Sequence, residues 1–192
     1  MTISKPLALA GAMAVLALVP ACSYDPQTDE ASADAGAETV TGTLATALSD
    51  IDGMDRLNDA VGQAQLNSVF DGQGAYTLLG PTDAAFDRLG DRADALMTDE
   101  QRPVLVGLLR EHILPGHLTP ENIRAAIDSN GGEVTMTTLG GGDVVFANDG
   151  GELTVSNGNG STARLVGSAT AATNGVLIPL DAVLVPTEAP AQ

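Results

Sequence analysis

The sequence predicts an α+β domain with a helical N-terminal half and a strand-rich C-terminal half. Three observations predict it. Apolar residues recur at 3.6-residue spacing in segments between Leu57 and Ile127. After Asn130-Gly131-Gly132 the spacing changes to alternation between Gly, Asn and Asp turns. The chain has 192 residues, 44% of them hydrophobic, which is enough for one domain of ordinary size with a sizeable core. Aromatics are only 3%, with no Trp, so that core is aliphatic.

The elements follow in order. Thr43–Leu48 is a short first helix, and Met54–Gln65 a second with Leu57, Ala60, Val61 and Ala64 on one face. Leu66–Phe70 continues as a short turn or helix, broken by Asp71-Gly72-Gln73-Gly74. Tyr76–Leu79 is a short strand. Thr82 then N-caps a helix, Asp83 suits its positive start, and Ala85, Phe86 and Leu89 form its stripe until Gly90. A further helix starts at Thr98-Asp99-Glu100-Gln101, tolerates Pro103 in its first turn, and carries Val104, Leu105, Leu108, Leu109, His112 and Ile113 to a stop at Pro115-Gly116. Thr119-Pro120 opens the last helix, with Ile123, Ala126 and Ile127 facing inward. Val134, Val144, Val145, Phe146, Leu153, Val155, Leu165 and Val166 mark hairpin strands. Val176–Ile178 and Ala182–Val185 read as a buried strand pair.

The ends of the chain differ from this domain. Lys5 precedes an apolar run, Leu7–Val19, of 13 residues, too short to span a bilayer and right for a signal peptide. Leu18-Val19-Pro20-Ala21-Cys22 resembles the bacterial lipobox, with Pro20 in place of the usual small or aliphatic residue. The sole cysteine, Cys22, sits where that motif requires a thiol for lipidation, so the expectation is a membrane anchor through a lipid on Cys22. Residues 1–21 are then the leader. Residues 22–38, with Asp25, Asp29, Glu30, Asp34 and Glu38, are an acidic flexible tether. Residues 39–186 form the domain and 187–192 a loose tail. Ser23 follows the cysteine, which by analogy with enteric bacteria points to the outer membrane, on its periplasmic or surface face.

Charge and motifs narrow the function. Acidic residues number 25 against 8 basic ones, a formal net charge of −17, and no lysine follows Cys22. Nucleic-acid binding needs a Lys/Arg surface and is excluded. Docking on anionic lipid heads is disfavoured for the same reason. One cysteine excludes an intrachain disulfide. There is no G-x-S-x-G elbow, no G-x-x-x-x-G-K loop and no H-E-x-x-H, and Gly140-Gly141-Gly142 lacks a following helix and Lys. Asp50-Ile51-Asp52-Gly53-Met54-Asp55 lacks the remaining ligands of a twelve-residue calcium loop. Turn chemistry accounts for it and for the Asn/Asp/Gly runs at 148–151 and 157–160.

Three segments together resemble the fasciclin domain family. Tyr76–Phe86, with Pro81-Thr82-Asp83 and Phe86, is similar to that family's "TVFAPTDAAF" segment. Leu108–Gly116, with His112, Pro115 and Gly116, is similar to "LLxYHVVPG". Asn174–Pro186, with Asn174-Gly175 and Asp181, is similar to "NGVIHVIDxVLLP". The resemblance implies a β-wedge of two sheets with several packed α-helices, and a non-catalytic role in adhesion or matrix contact, without a cofactor. It also implies a partner in the envelope or matrix, whose identity stays open. Three positions depart from the pattern: Gly80 replaces Ala, Glu111 replaces the Tyr beside the His, and Ile178 replaces a His. The family's Tyr-His contact with animal integrins therefore does not carry over.

Residue by residue, Thr82 and Asp83 read as a helix cap. His112 reads as a buried histidine bonded to backbone or a polar neighbour, and His117 as a solvated loop residue. Asn174-Gly175 reads as a turn needing positive φ. An alternative to the adhesion module is a periplasmic accessory protein that binds a small apolar ligand.

Overall fold

The computed structural model describes residues 37–185. Residues 1–36 and 186–192 lie outside the described residues, and with them the expected leader, Cys22, most of the expected tether and the expected tail. In chain order the first half forms β1 (Ala37–Thr39), α1 (Leu44–Asp50), α2 (Asp55–Gln63), α3 (Asn67–Phe70) and β2 (Tyr76–Pro81), then α4 (Asp83–Asp87), α5 (Asp91–Leu96), α6 (Arg102–Arg110), β3 (Ile113–Pro115) and α7 (Pro120–Asn130). The second half forms β4 (Glu133–Thr137), β5 (Asp143–Asp149), β6 (Glu152–Asn157), β7 (Thr162–Arg164), β8 (Ala169–Ala172) and β9 (Gly175–Leu180).

The strands make two sheets. The first has the order β1-β8-β9-β2-β3, the second β4-β5-β6-β7. The second is antiparallel throughout and comes from consecutive segments, as the turn-punctuated alternation predicts. The first is mixed. Its central strands β2 and β9 run parallel, with Tyr76 opposite Gly175 and Pro81 opposite Leu180. Both are buried on two faces, which explains their nearly unbroken apolar sequence.

Alternation along these strands divides the core. Leu78 and Leu177 face a cluster with Leu44, Leu57, Val61, Phe70, Phe86, Leu105 and Leu109 from the helices. Leu79, Val176 and Ile178 face the other way, onto Phe146, Val155 and Leu153 of the second sheet and Ile123 and Ile127 of α7. The first sheet is thus the wall between a helical core and a sheet-on-sheet core. Helix starts follow their caps: Thr43, Thr82 and Thr119 each accept from a backbone N–H three residues on. At α7, Asn122 Oδ1 returns the bond to Thr119 N–H.

Several sequence expectations change. The helix expected to run through Ile113 ends at Arg110, and Ile113–Pro115 is instead strand β3, antiparallel to β2. His112 lies in the turn between them. Gly90, read as a helix end, starts another: it has φ +56 and precedes α5. Ala182–Val185 is not a strand; the Leu184 N–H bonds His112 Nε2 rather than a neighbouring strand. Leu165 makes a single bridge, to Leu180, beyond the end of β7. Strand β1 pairs in parallel with β8, Glu38 opposite Thr170, so the sheet includes the last two residues of the segment read as tether.

Candidate functional site

The motif residues turn out to be joints between elements. Thr82 caps α4, its Oγ1 accepting from Ala85 N–H at 3.3 Å. Asp83 does more than favour its own helix: its Oδ1 accepts from Arg56 N–H at 2.9 Å and so caps α2. Pro81 ends β2 and Phe86 fills the helical core. Asp181 Oδ1 accepts from Arg164 N–H at 2.7 Å, and its carbonyl accepts from the Arg88 guanidinium at 2.6 Å. Pro115 is exposed. Gly116 has φ +96, and its carbonyl accepts from the buried Thr77 hydroxyl at 2.7 Å. The same hydroxyl accepts from Leu118 N–H at 2.8 Å.

Asn174 and Gly175 hold their places for reasons other than the one expected. Neither has a positive φ. Asn174 is buried; its Oδ1 accepts from Leu44 N–H at 2.7 Å, and its Nδ2 donates to Phe70 O at 2.6 Å and Gly72 O at 2.8 Å. One amide side chain therefore ties the start of α1 and the end of α3 to the β8–β9 turn. At Gly175 the requirement is space. A Cβ there would collide with the Tyr76 carbonyl oxygen and lie 2.8 Å from Leu44 Cγ. At Gly80 a Cβ would lie 2.7 Å from Leu177 Cδ1 and 2.9 Å from Leu57 Cδ2, so these two leucines occupy the space of an alanine methyl.

His112 is buried and both of its ring nitrogens are engaged. Leu184 N–H donates to Nε2 at 3.0 Å, so the proton sits on Nδ1, which donates to Leu108 O at 2.8 Å. Burial holds its pKa below the ordinary histidine value, against the smaller opposing effects of the Leu108 bond and the Glu111 charge. A neutral ring bonded at both ends is a brace between the end of α6 and the segment after β9. His117 is exposed. Among the described residues no group of three or more His, Cys, Asp or Glu side chains is placed to hold a metal ion.

Sequence reasoning missed the concave surface beside α5 and α6. There a groove of about 470 Å³ is walled by Leu96, Val104, Leu108 and Val185, with Gly107 and Gly140 leaving it open. Arg92, Arg110 and Glu111 stand at its edge. A second hollow of about 340 Å³ shares Arg92, Leu96 and Val104 and so adjoins it. Val104 is 54% exposed, which singles it out among the large hydrophobic residues described. Glu111, the residue in place of the family's Tyr, forms the groove's edge through a loop contact. Its Oε2 accepts from Thr138 Oγ1 at 2.6 Å and its Oε1 from Gly142 N–H at 3.3 Å. A Cβ at Gly140 or Gly142 would strike that carboxylate. Nothing in the sequence signals it: Val104 reads as part of the stripe with Leu105, Leu108 and Leu109, but in the fold it is exposed.

Comparison with known proteins now places this architecture. The model of the fasciclin domain matches residues 52–186. The chain belongs to the fasciclin domain family. It is 30% identical over 153 residues to the transforming growth factor-beta-induced protein ig-h3 of Sus scrofa, covering 79% of this chain and 20% of that protein. The Oryctolagus cuniculus protein of the same name is 29% identical over the same shares. Protein sll1483 of Synechocystis is 28% identical over 128 residues, covering 66% of this chain and 64% of that protein. Among solved structures, the FAS1 domain pair of the insect cell adhesion molecule Fasciclin I superposes with a TM-score of 0.65 at 14% identity, over 75% of this chain and 51% of that one. That likeness concerns the fold. The fasciclin chain described here spans about a fifth of the length of the ig-h3 relatives it matches.

Proposed function

We propose that this fasciclin chain is a non-catalytic, adhesion-type binding module, held at the cell envelope by a lipid on Cys22 and contacting an envelope or matrix partner through the α5–α6 groove. The observation that carries the reading is that groove, with apolar walls, an exposed Val104 and charged edges. Support for a non-catalytic role comes from His112, whose two nitrogens are spent on backbone groups. Support for adhesion comes from the cell-adhesion protein that shares the fold. The lipobox-like segment supports a lipid anchor, Ser23 after the cysteine supports the outer membrane, and the acidic stretch 22–36 supports display at a distance from it.

Val104→Asp places a charge on the groove wall without disturbing a buried contact. Cells displaying the full chain with this change are expected to lose partner binding while keeping surface levels and thermal stability. Undiminished binding would remove the groove from the account. For the anchor, a fatty-acid analogue should label the wild type and not Cys22→Ser; equal labelling rejects it. The volume of the groove also favours a second reading, a small apolar ligand, because such sites occupy about 300–1,000 Å³.

A further inference from the structure

We propose that the α5–α6 groove takes a free single-chain amphiphile with an anionic head, its chain against Leu96, Val104, Leu108 and Val185 and its head at Arg110. The proposal rests on reading the groove as the binding site, and adds the chemistry of the occupant.

The charge at the edge is the first argument. The domain between residues 39 and 187 carries 19 acids and seven arginines. Arg56, Arg88, Arg102, Arg124 and Arg164 form ion pairs with those acids, and Arg92 is also engaged. Arg110 makes no ion pair among the described residues. Its backbone carbonyl accepts from Gly140 N–H at 3.0 Å, which fixes the root of its side chain beside the groove. The adjacent carboxylate, Glu111, makes no ion pair with it; its oxygens accept instead from Thr138 Oγ1 and Gly142 N–H. A guanidinium is thus left for an outside anion in a chain that is otherwise strongly acidic.

The walls supply the second argument. A peptide strand would need free main-chain donors and acceptors to pair with. The walls here are mainly helical, with their backbone bonded internally, and Gly140 N–H is taken by Arg110. What they offer is side-chain methyls along two adjoining hollows of about 470 and 340 Å³, which share Leu96 and Val104. Apolar walls with the Arg110 guanidinium at their edge, beside Arg92 and Glu111, match a hydrocarbon chain ending in an acid. At physiological salt the Debye length is about 8 Å, so the rest of the acidic surface weakly opposes a head seated at Arg110.

The test is an NMR titration of the full chain at physiological salt with octanoate, decanoate and dodecanoate. Uncharged dodecyl maltoside and cationic dodecyltrimethylammonium serve as controls, all below micelle formation. Expected are shifts centred on Val104 and Gly140, with affinity rising by up to roughly fourfold per added methylene. Dodecanoate should bind tighter than either control. Arg110→Gln should weaken dodecanoate about three- to fivefold and leave the maltoside unchanged. Val104→Asp should weaken both. Equal affinity for the three heads overturns the anionic assignment while leaving the groove as the site. No shift at Val104 with any amphiphile overturns the proposal outright; if a crosslinker at 104 still captures an envelope partner, the adhesion reading survives. Binding seen only with phosphatidylglycerol vesicles also overturns it. So does binding seen only after removal of residues 187–192, or a groove closed by self-association, since these assign the groove to a membrane, the tail or a second copy.

Discussion

Replacing Asn174 by Ala isolates one joint of the fold. The amide accepts one hydrogen bond and donates two, at 2.7, 2.6 and 2.8 Å, and the residue is buried. At about 1 kcal/mol net for each bond the loss is about 3 kcal/mol. Leu44 N–H lies at the first turn of α1 and Phe70 O at the end of α3, where no intrahelical partner takes over. Leaving them unsatisfied raises the expected cost to about 4 kcal/mol, a large part of the roughly 5–15 kcal/mol that holds a domain together. For a domain of this size that lowers Tm by about 10 °C. Urea and thermal melts followed by far-UV circular dichroism measure it, since the chain has no Trp to report fluorescence. Asn174→Asp keeps the acceptor for Leu44 but turns an oxygen toward two carbonyls, so it should be no more stable than the Ala variant near neutral pH. If Asn174→Ala melts within about 2 °C of the wild type, the amide does not join these elements as argued.

Other outcomes follow from the same geometry. Gly175→Val should unfold the domain or destabilise it by more than about 3 kcal/mol in a urea titration, because its Cβ would meet Tyr76 O and Leu44. Thr82→Ala and Asp83→Ala should each cost about 1 kcal/mol in a urea melt, the first by uncapping α4 and the second by uncapping α2. His112 has a lowered pKa in the fold, so the unfolded chain binds its proton more readily. The stability it contributes is complete above its unfolded value of about 6.5 and declines as pH falls below that toward the folded value. Urea midpoints between pH 5 and 8 should therefore fall on the acid side in the wild type, and this slope should flatten in His112→Ala.

Much of the fold was legible because its signals are local. Thr43, Thr82 and Thr119 announce helix starts by capping chemistry alone, and the Gly/Asn turns delimit the antiparallel sheet. The failures share a cause, namely contacts made far along the chain. His112 and Ile113 continue the spacing of Leu108 and Leu109, so the stripe reads as helix; pairing of Ile113 with Leu78 decides for a strand. Ala182–Val185 is as apolar as a strand, yet Leu184 bonds a histidine 72 residues away. The α5 helix hides in Asp91–Leu96, where a single turn and a half shows little periodicity. The positions of the motif residues were visible as a pattern, but Asn174 as a three-way joint and Asp83 as the cap of a neighbouring helix were not. The groove was the least legible of all, since its walls come from α5, α6, the Gly140 loop and Val185.

The central claim is that the groove beside Val104 meets the partner. A photo-crosslinking residue at 104 of the full chain, compared with the same residue at the exposed Thr162 of β7, tests it on intact cells. A discrete adduct is expected from position 104, absent from 162 and weakened by Arg110→Gln. Equal adducts from both positions, or adducts from 162 alone, would contradict it.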